Sequence, residues 1–241
     1  IAVLACGAVL LNGVTTLDVT TALAESVQLD GIPLTEPDIT QYQLVSLPSK
    51  GNEAEGKKNN IEATVSWSLE SILTATPAST VVLLQRPGGT TTESNENAWL
   101  VSCRAGIVVP APSSSQESMD ETREKNRLSI STTTPIVDRV GSSSTTKETY
   151  LPTLQALPGR FEFRDYLPSN TQLVLLLPIP KGQYDQDDES KKMDVEGETR
   201  HVHSIDNDVL VVGSDTAKSF SPRDIAWCRI MAERISRQQF E

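Results

Sequence analysis

The pattern of apolar and polar positions is clearest near the C-terminal end of the chain. Residues 209–212 form an apolar, mostly β-branched run that is bounded by Asp208 and Gly213. Such a short run between turn residues is typical of a buried strand. A turn should follow it and lead into a helix.

The start of that helix carries several consistent signals. Ser221 is a good N-cap, Pro222 fits the first helical position, and Asp224 completes a capping-box pattern. Phe220 and Ile225 are spaced for a hydrophobic staple across the cap. The apolar positions that recur at helical spacing after this start are Trp227, Ile230, Met231 and Ile235.

A second helix is predicted over residues 61–76. Its apolar positions share one helical face, and Pro77 stops it. These positions are Val65, Leu69, Ile72 and Leu73.

Strands are predicted over residues 81–86, 98–109 and 172–179, and the second of these can bend at Gly106. Residues 150–159 predict a short helical turn, with Pro152 at its first position and Pro158-Gly159 at its end. Phe161 and Phe163 alternate with charged residues, which predicts a short strand.

The predicted domain order follows from these elements. Residues 1–30 hold an anchoring segment and the stretch beside it, residues 31–60 are a linker, and residues 61–241 form one domain. Two polar stretches within the domain, about 110–146 and 181–206, lack apolar periodicity and are expected to be disordered insertions. An α+β fold, with helices packed on an antiparallel sheet, is the simplest arrangement.

Residues 1–14 are apolar except for Asn12. They are too few to cross a bilayer, which needs about 20 apolar residues. A buried element of a soluble protein is one interpretation. The other, which we favour, is the last turns of a transmembrane helix, because Leu11-Asn12-Gly13 resembles a helix stop.

Composition narrows the possible functions. The chain has 241 residues and a formal net charge of −11, which argues against a nucleic-acid-binding surface. The three cysteines, Cys6, Cys103 and Cys228, are odd in number and far apart, so neither a disulfide framework nor a Cys-based zinc site is indicated. We expect Cys103 and Cys228 to be small core residues.

Residues suited to catalysis are scarce. The sequence contains no phosphate-binding loop and no H-E-x-x-H motif. His201 and His203 are weak candidates for metal or haem ligands, but a charged loop favours solvated histidines. Because no base is placed beside a nucleophile, the residues favour a binding or assembly module without enzymatic activity.

Two resemblances sharpen this interpretation. The strand that ends at Gly213, followed by Phe220, Ser221 and Asp224, resembles the closing strand and helix of GAF domains. A longer series resembles the B subunits of the family called cofactor assembly of complex C, as does Leu10-Leu11-Asn12-Gly13 near the start. The series comprises Leu151-Pro152, Leu157-Pro158-Gly159, Glu162-Phe163, Leu167-Pro168-Ser169-Asn170-Thr171-Gln172, Val211-Val212-Gly213-Ser214-Asp215, Phe220, Asp224 and Trp227. The positions taken from it as binding candidates are Leu151, Pro152, Leu157, Pro158, Gly159, Pro168, Asn170, Gln172, Gly213, Asp215, Phe220, Asp224 and Trp227.

The second resemblance implies a specific function. Members of that family are chloroplast or cyanobacterial thylakoid proteins with N-terminal transmembrane helices and a GAF-like domain facing the stroma. They form a heterodimer with a related subunit and help attach haem ci covalently to apocytochrome b6 in cytochrome b6f assembly, a branch of cytochrome c maturation. Haem contact is then at most transient, no cofactor is held permanently, and the series above marks candidate binding positions.

Two other interpretations stay open. The chain could be a membrane-tethered GAF-like domain that binds a small ligand in a sensory role. It could also be a structural interaction domain of another membrane complex. The two polar insertions depart from the family pattern, and they leave open which of the paired subunits the chain matches.

Overall fold

A computed structural model describes residues 25–39, 52–86, 99–110, 130, 134–143, 147–181 and 207–238. Its centre is a sheet of six strands, flanked by three helices and two 3₁₀ turns. The strands are β1 (Ile32–Pro33), β2 (Thr80–Gln85), β3 (Leu100–Val108), β4 (Thr149–Leu151), β5 (Leu173–Ile179) and β6 (Asp208–Ser214). The helices are α1 (Asn52–Ala75), α2 (Pro135–Gly141) and α3 (Pro222–Gln238), and the 3₁₀ turns are Leu154–Ala156 and Pro158–Phe163.

The strands lie in the order β1-β3-β2-β6-β5-β4, and every neighbouring pair is antiparallel. In the centre, Val212 of β6 pairs with Val81 of β2 on one side and with Leu175 of β5 on the other. The predicted α+β class with an antiparallel sheet is therefore confirmed. So are the predicted strands β2, β3, β5 and β6, within one or two residues at each end.

Both faces of the sheet are covered, which explains why its central strands are apolar without alternation. One face packs against α1 and α3, and the other packs against α2 and the 3₁₀ turns. The first core includes Leu69, Leu83, Leu175, Leu210, Met231 and Ile235. The second includes Val82, Leu84, Trp99, Phe163, Tyr166, Leu176 and Val211.

Gly106 gives β3 the predicted irregularity. Its φ of 81° lies in the left-handed region, and a Cβ atom there would lie 2.3 Å from the carbonyl oxygen of Ser79. Any other residue would therefore meet both backbone strain and a steric clash.

Helix α1 begins earlier than predicted. It starts at Asn52, so the part of the predicted 31–60 linker from residue 52 onward is helical. Glutamate and lysine are good helix formers and need no core to remain helical, and Lys58 lies 3.7 Å from Glu62 one turn later. Within the predicted part, Val65, Leu69 and Ile72 are fully buried, as expected.

The start of α3 confirms the predicted cap. The backbone N–H of Ser221 donates to Oδ2 of Asp224 at 2.8 Å, and the N–H of Asp224 donates to Oγ of Ser221 at 3.3 Å. Phe220 is buried, and Ile225 packs against the same core, as the staple requires.

One predicted core position of α3 is wrong. Ile230 is 52% exposed. The buried stripe of the helix runs through Cys228, Met231, Ala232 and Ile235 instead. Because Cys228 and Ala232 are small, the helix can approach the sheet closely on that side.

The predictions for residues 134–163 need correction. Part of the first predicted insertion forms α2, whose Val137 and Val140 are buried in the second core. Tyr150 and Leu151 belong to β4 rather than to a helical turn. Pro158 opens a 3₁₀ turn that continues to Phe163, so no strand forms there. Proline suits the first position of such a turn because its φ is already fixed and its nitrogen has no hydrogen to leave unpaired.

Several predictions concern residues outside the described ranges. These include the apolar segment 1–14, Cys6, His201, His203 and most of both polar insertions. Within the described ranges, no helix combines the length and the apolar composition needed to cross a bilayer.

Candidate functional site at one end of the sheet

Many of the family-motif positions meet where β4 ends, β5 begins and β6 ends. We call this region, formed by residues 151–152, 168–172 and 213–218, the motif end. The N–H of Gln172 donates to the carbonyl oxygen of Ser214 at 2.9 Å, and the N–H of Leu154 donates to that of Gln172 at 2.7 Å. Backbone hydrogen bonds therefore join three segments that are distant in sequence.

Gly213 is required at the motif end by close packing. A Cβ atom at this position would lie 2.6 Å from Cγ2 of Thr80 and 3.1 Å from Cγ2 of Thr171. Its carbonyl oxygen accepts from the N–H of Ser79 at 2.9 Å. The position thus admits only glycine without displacing a neighbour.

The turn that contains Pro168 presents the side chain of Asn170. Thr171 donates to the carbonyl oxygen of Pro168 from its N–H at 3.0 Å and from Oγ1 at 2.7 Å. Nε2 of Gln172 donates to the carbonyl oxygen of Asn170 at 2.8 Å. These bonds hold the turn, so the amide of Asn170 has a fixed direction.

The amide of Asn170 binds an earlier part of the chain, residues 27–30, which we call the clamped segment. Its Oδ1 accepts from the N–H of Asp30 at 2.8 Å, and its Nδ2 donates to the carbonyl oxygen of Gln28. At the other side of the motif end, the carbonyl oxygen of Asp215 accepts from the N–H of Val27 at 3.1 Å. Asn170 and Asp215 therefore fix the point at which the chain enters the domain.

An open recess of about 220 Å³ lies next to the motif end. The motif positions Leu157, Pro158 and Gly159 do not line it, but the following residue, Arg160, does, and Arg160 donates from Nη1 to the carbonyl oxygen of Gln155 at 3.2 Å. Gln155 in turn donates from Nε2 to the carbonyl oxygens of Ser169 and Thr171, at 3.0 and 2.7 Å. The residues that line the recess are Leu154, Gln155, Arg160, Phe161, Phe163, Arg164, Pro168 and Ser169.

Trp227 belongs to a different surface, the exposed side of the α1–α3 helix pair. Its Nε1 donates to the carbonyl oxygen of Ser71 at 3.4 Å. Nearby, Trp67 is 45% exposed and Ile230 is 52% exposed, and the guanidinium of Arg234 lies 4.3 Å from the centre of the Trp67 ring. We call Trp67, Trp227, Ile230 and Arg234 the helix-pair face.

The described cysteines are not suited to nucleophilic chemistry. Burial raises the pKa of the Cys228 thiol to about 12 and raises the pKa of the Cys103 thiol even further. Both thiols therefore stay protonated near neutral pH, which is the state that neither attacks carbon nor binds metal. Their predicted role as core residues is confirmed. Among the residues that the structure describes, no group of three His, Cys, Asp or Glu side chains could hold a metal ion.

Glu162 is part of the family series, but its structural role was not predicted from the sequence. This carboxylate is 5% exposed and accepts from the N–H groups of Ile136 and Val137 at 3.1 and 2.7 Å, at the start of α2. Burial raises its pKa, while the two N–H groups oppose that effect. Glu162 thus holds α2 against the 3₁₀ turn, across 25 residues of sequence.

Asp208 and Asp138 are two further carboxylates with structural roles, at the opposite end of the sheet. Asp208 is fully buried; its Oδ1 lies 2.8 Å from Nζ of Lys181, and Nε2 of Gln85 donates to its Oδ2 at 3.1 Å. Asp138 of α2 accepts from Arg86 at 2.9 Å and from Nε1 of Trp99 at 2.7 Å. Both carboxylates join elements of the fold through charge-assisted bonds.

Comparison with known proteins adds a family and a set of similar folds. The family model for cofactor assembly of complex C, which covers its B subunits CCB2/CCB4, matches residues 1–235. No curated protein gives a significant match.

Two solved structures are similar at a TM-score of 0.44. One is the GAF domain region of a putative membrane protein from Geobacter sulfurreducens PCA, at 10% identity, covering 78% of this chain and 97% of the other. The second is a far-red cyanobacteriochrome photoreceptor, at 12% identity, covering 78% and 92%. The fold of this chain is defined by its own strand order and strand pairing.

Proposed function

Since the chain belongs to the CCB2/CCB4 family of cofactor assembly of complex C, we propose that it is an assembly factor for the covalent attachment of haem ci to apocytochrome b6 of the cytochrome b6f complex. The observation that carries this proposal is the family match over residues 1–235. In this role the protein is a scaffold that works with a related subunit at the thylakoid membrane. Haem contacts it transiently, if at all.

The chemistry of the described residues supports a scaffold. A thioether between haem and a cysteine of the substrate protein needs no nucleophile from the assembly factor. The thiols of Cys103 and Cys228 are buried and held protonated.

The helix-pair face supports pairing with a related subunit. Tryptophan and arginine are enriched where protein interfaces gain most of their binding energy. Here Trp227 and Ile230 line an open recess of about 540 Å³, and the ring of Trp67 on the same helix pair is 45% exposed. We assign the related subunit to this face.

We place the domain in the stroma as part of this proposal, tethered to the membrane, and the clamped segment supports the tether. Asn170 and Asp215 fix residues 27–30 to the domain, so an anchor formed by the apolar residues 1–14 would be joined to a defined point on its surface. A domain attached in this way has a restricted orientation relative to the anchor.

Deleting the gene in a photosynthetic host tests the function. We expect cytochrome b6 to lose covalently bound haem, measured as the loss of haem-dependent staining of that band after denaturing electrophoresis. Restoring the intact gene should restore the stain. Normal covalent haem in the deletion strain would rule out the proposed function.

The helix-pair face is tested separately by a variant that carries Trp67→Ala and Ile230→Ser. We expect this variant to capture less of the related subunit in affinity purification. Ile32→Ser is a matched control, because Ile32 is also 52% exposed but lies on the edge strand β1. Equal capture by the double variant and the control would exclude this face. The alternative function, a small-ligand sensory domain, stays a prediction that thermal-shift measurements with candidate ligands can test.

A further inference from the structure

The recess at the motif end is bordered by an unusual surface group, Arg160, Phe161 and Arg164, which we call the arginine–phenylalanine patch. Phe161 is 60% exposed, more than any other large hydrophobic residue that the structure describes. The guanidinium of Arg160 lies 5.1 Å from the centre of its ring. A single exposed apolar side chain is common on protein surfaces, so Phe161 is informative only together with the two arginines beside it. Aromatic and cationic side chains occur together where a protein lies in a membrane interface.

The two cations of the patch lack acidic partners among the described residues. Neither the Arg160 nor the Arg164 guanidinium forms an ion pair there, although Arg86, Arg104 and Arg229 each pair with a carboxylate. The chain as a whole carries a formal charge of −11. Of the two carboxylates in the same stretch, Glu162 is buried against α2, whereas Asp165 is exposed beside Arg164 in the sequence. The exposed side chains of residues 160–165 therefore keep a net positive charge on a chain that is acidic overall, which favours an anion at this point.

The patch is connected to the point where the chain enters the domain. Arg160 donates to Gln155, Gln155 donates to Ser169, and the next residue, Asn170, binds Gln28 and Asp30 of the clamped segment. Residues 15–24 separate the apolar segment 1–14 from the first described residue. Ten residues span at most about 35 Å even when fully extended, so the clamped segment and the neighbouring patch can reach the surface that residues 1–14 bind.

We propose that the arginine–phenylalanine patch binds the anionic headgroups of the bilayer to which the chain is tethered. This inference rests on the membrane tether of the proposed function. Arg160 and Arg164 contact lipid phosphate or sulfonate groups, and Phe161 enters the interfacial layer, where aromatic rings are favoured. The domain then lies with its motif end against the membrane and its helix-pair face free for the related subunit.

The shape of the patch favours a lipid surface over an acidic peptide. Its recess, at about 220 Å³, is smaller than the roughly 300–1,000 Å³ of typical ligand pockets. Phe161 lines this recess and is nevertheless 60% exposed, so the recess is too open to enclose a peptide side chain. An exposed ring can instead enter the soft interfacial layer of a bilayer.

Flotation of the full chain with vesicles tests the proposal. Vesicles of phosphatidylcholine alone are compared with vesicles that also contain phosphatidylglycerol. For each variant, the partition coefficient for the vesicles with phosphatidylglycerol is divided by the partition coefficient for the vesicles without it, which gives the ratio used below. The ratio cancels any contribution of residues 1–14 to binding. At about 1 kcal/mol per arginine near an anionic surface, Arg160→Gln with Arg164→Gln should lower the ratio about 30-fold. Added salt should reduce the ratio of the unmodified chain.

Two variants separate the patch from trivial causes. Arg229→Gln with Arg237→Gln removes the same charge from α3 and should leave the ratio nearly unchanged. The side chain of Arg164 donates no hydrogen bond among the described residues, so Arg164→Gln alone tests the patch even if the double variant is unstable. This single variant should lower the ratio about fivefold. Phe161→Ala should weaken binding to both kinds of vesicle.

Equal losses in the two double variants would overturn the proposal, because the effect would then come from total charge. An unchanged ratio in the Arg160 and Arg164 variants would also overturn it. The proposal would also be overturned if these variants bound vesicles normally but no longer bound a protein partner. That result would assign the patch to an acidic peptide. Each result is independent of the haem-staining test, so the proposed function could stand while the lipid contact falls, or the reverse.

Discussion

Replacing Asn170 with alanine is the most direct test of how the domain holds the chain that enters it. The change removes the acceptor for the N–H of Asp30 and the donor to the carbonyl oxygen of Gln28. Both bonds are exposed to solvent, so each contributes at the lower end of the usual range, about 0.5–1 kcal/mol. Together they should stabilise the clamped segment against local opening by roughly 1–2 kcal/mol.

Hydrogen exchange resolved to short peptides measures this opening. We expect exchange of amides within residues 27–31 to become about 5–30 times faster in Asn170→Ala, from the free energy above. Amides of β5 and β6 should keep their protection, because their ladder bonds do not involve Asn170. Asn170→Asp keeps an acceptor for Asp30 but loses the donor to Gln28, and it should give an intermediate rate.

Gln155→Ala provides the control. Gln155 binds the carbonyl oxygens of Ser169 and Thr171 in the same turn, whereas the bonds to Gln28 and Asp30 come from Asn170. If Gln155→Ala accelerated exchange in the clamped segment as much as Asn170→Ala, the loss would reflect a loosened turn. The reasoning would be refuted outright if Asn170→Ala left exchange of residues 27–31 unchanged.

Four further predictions concern stability. Ser221→Ala removes the N-cap of α3 and should cost about 1 kcal/mol in chemical unfolding; an unchanged midpoint would show that the cap bonds contribute nothing net. Gly213→Ala brings a Cβ atom to 2.6 Å from Thr80 and should cost about 1–3 kcal/mol. Gly56→Ala has no atom within 4 Å of the added methyl group, so it should instead stabilise α1 by up to about 1 kcal/mol. A thermal midpoint that is lower for Gly56→Ala than for Gly213→Ala would contradict both glycine predictions. Burial raises the pKa of Glu162 above its ordinary 4.5, so the folded state holds this proton more tightly than the unfolded state. Its contribution is therefore present below about pH 4.5 and is lost as pH rises through the raised pKa. The thermal midpoint of the unmodified chain minus that of Glu162→Gln should fall over this range, and a rising difference would show that the two backbone N–H groups outweigh burial.

Local sequence signals were sufficient where one element satisfies its own backbone and side-chain needs. The cap of α3 is complete within residues 220–225, so Ser221, Pro222 and Asp224 identify it without knowledge of the fold. The strands β2, β5 and β6 each contain a continuous apolar run of at least four residues, and a short apolar run between turn residues has few alternatives. The same signals underlie the GAF and complex C resemblances.

The sequence was misleading where a residue serves a distant partner. The alternation of Phe161 and Phe163 with charged residues predicted a strand, but Glu162 lies inward because it caps α2. Helix α2 itself lies in a polar stretch, and Val137 and Val140, buried against the second face of the sheet, hold it there. Ile230 fits the helical period of α3, yet the sheet packs against the neighbouring stripe of Cys228, Met231, Ala232 and Ile235.

By itself, the sequence determined the α+β class, the central strands, the terminal helix and the family, because these follow from periodicity, capping and motif order within short stretches. Only the tertiary structure decided the strand order and the joining of Asn170 to a segment about 140 residues earlier. It also decided which large apolar residues remain at the surface. Such contacts depend on how elements pack in space, and packing between distant segments leaves no periodic signature in either one.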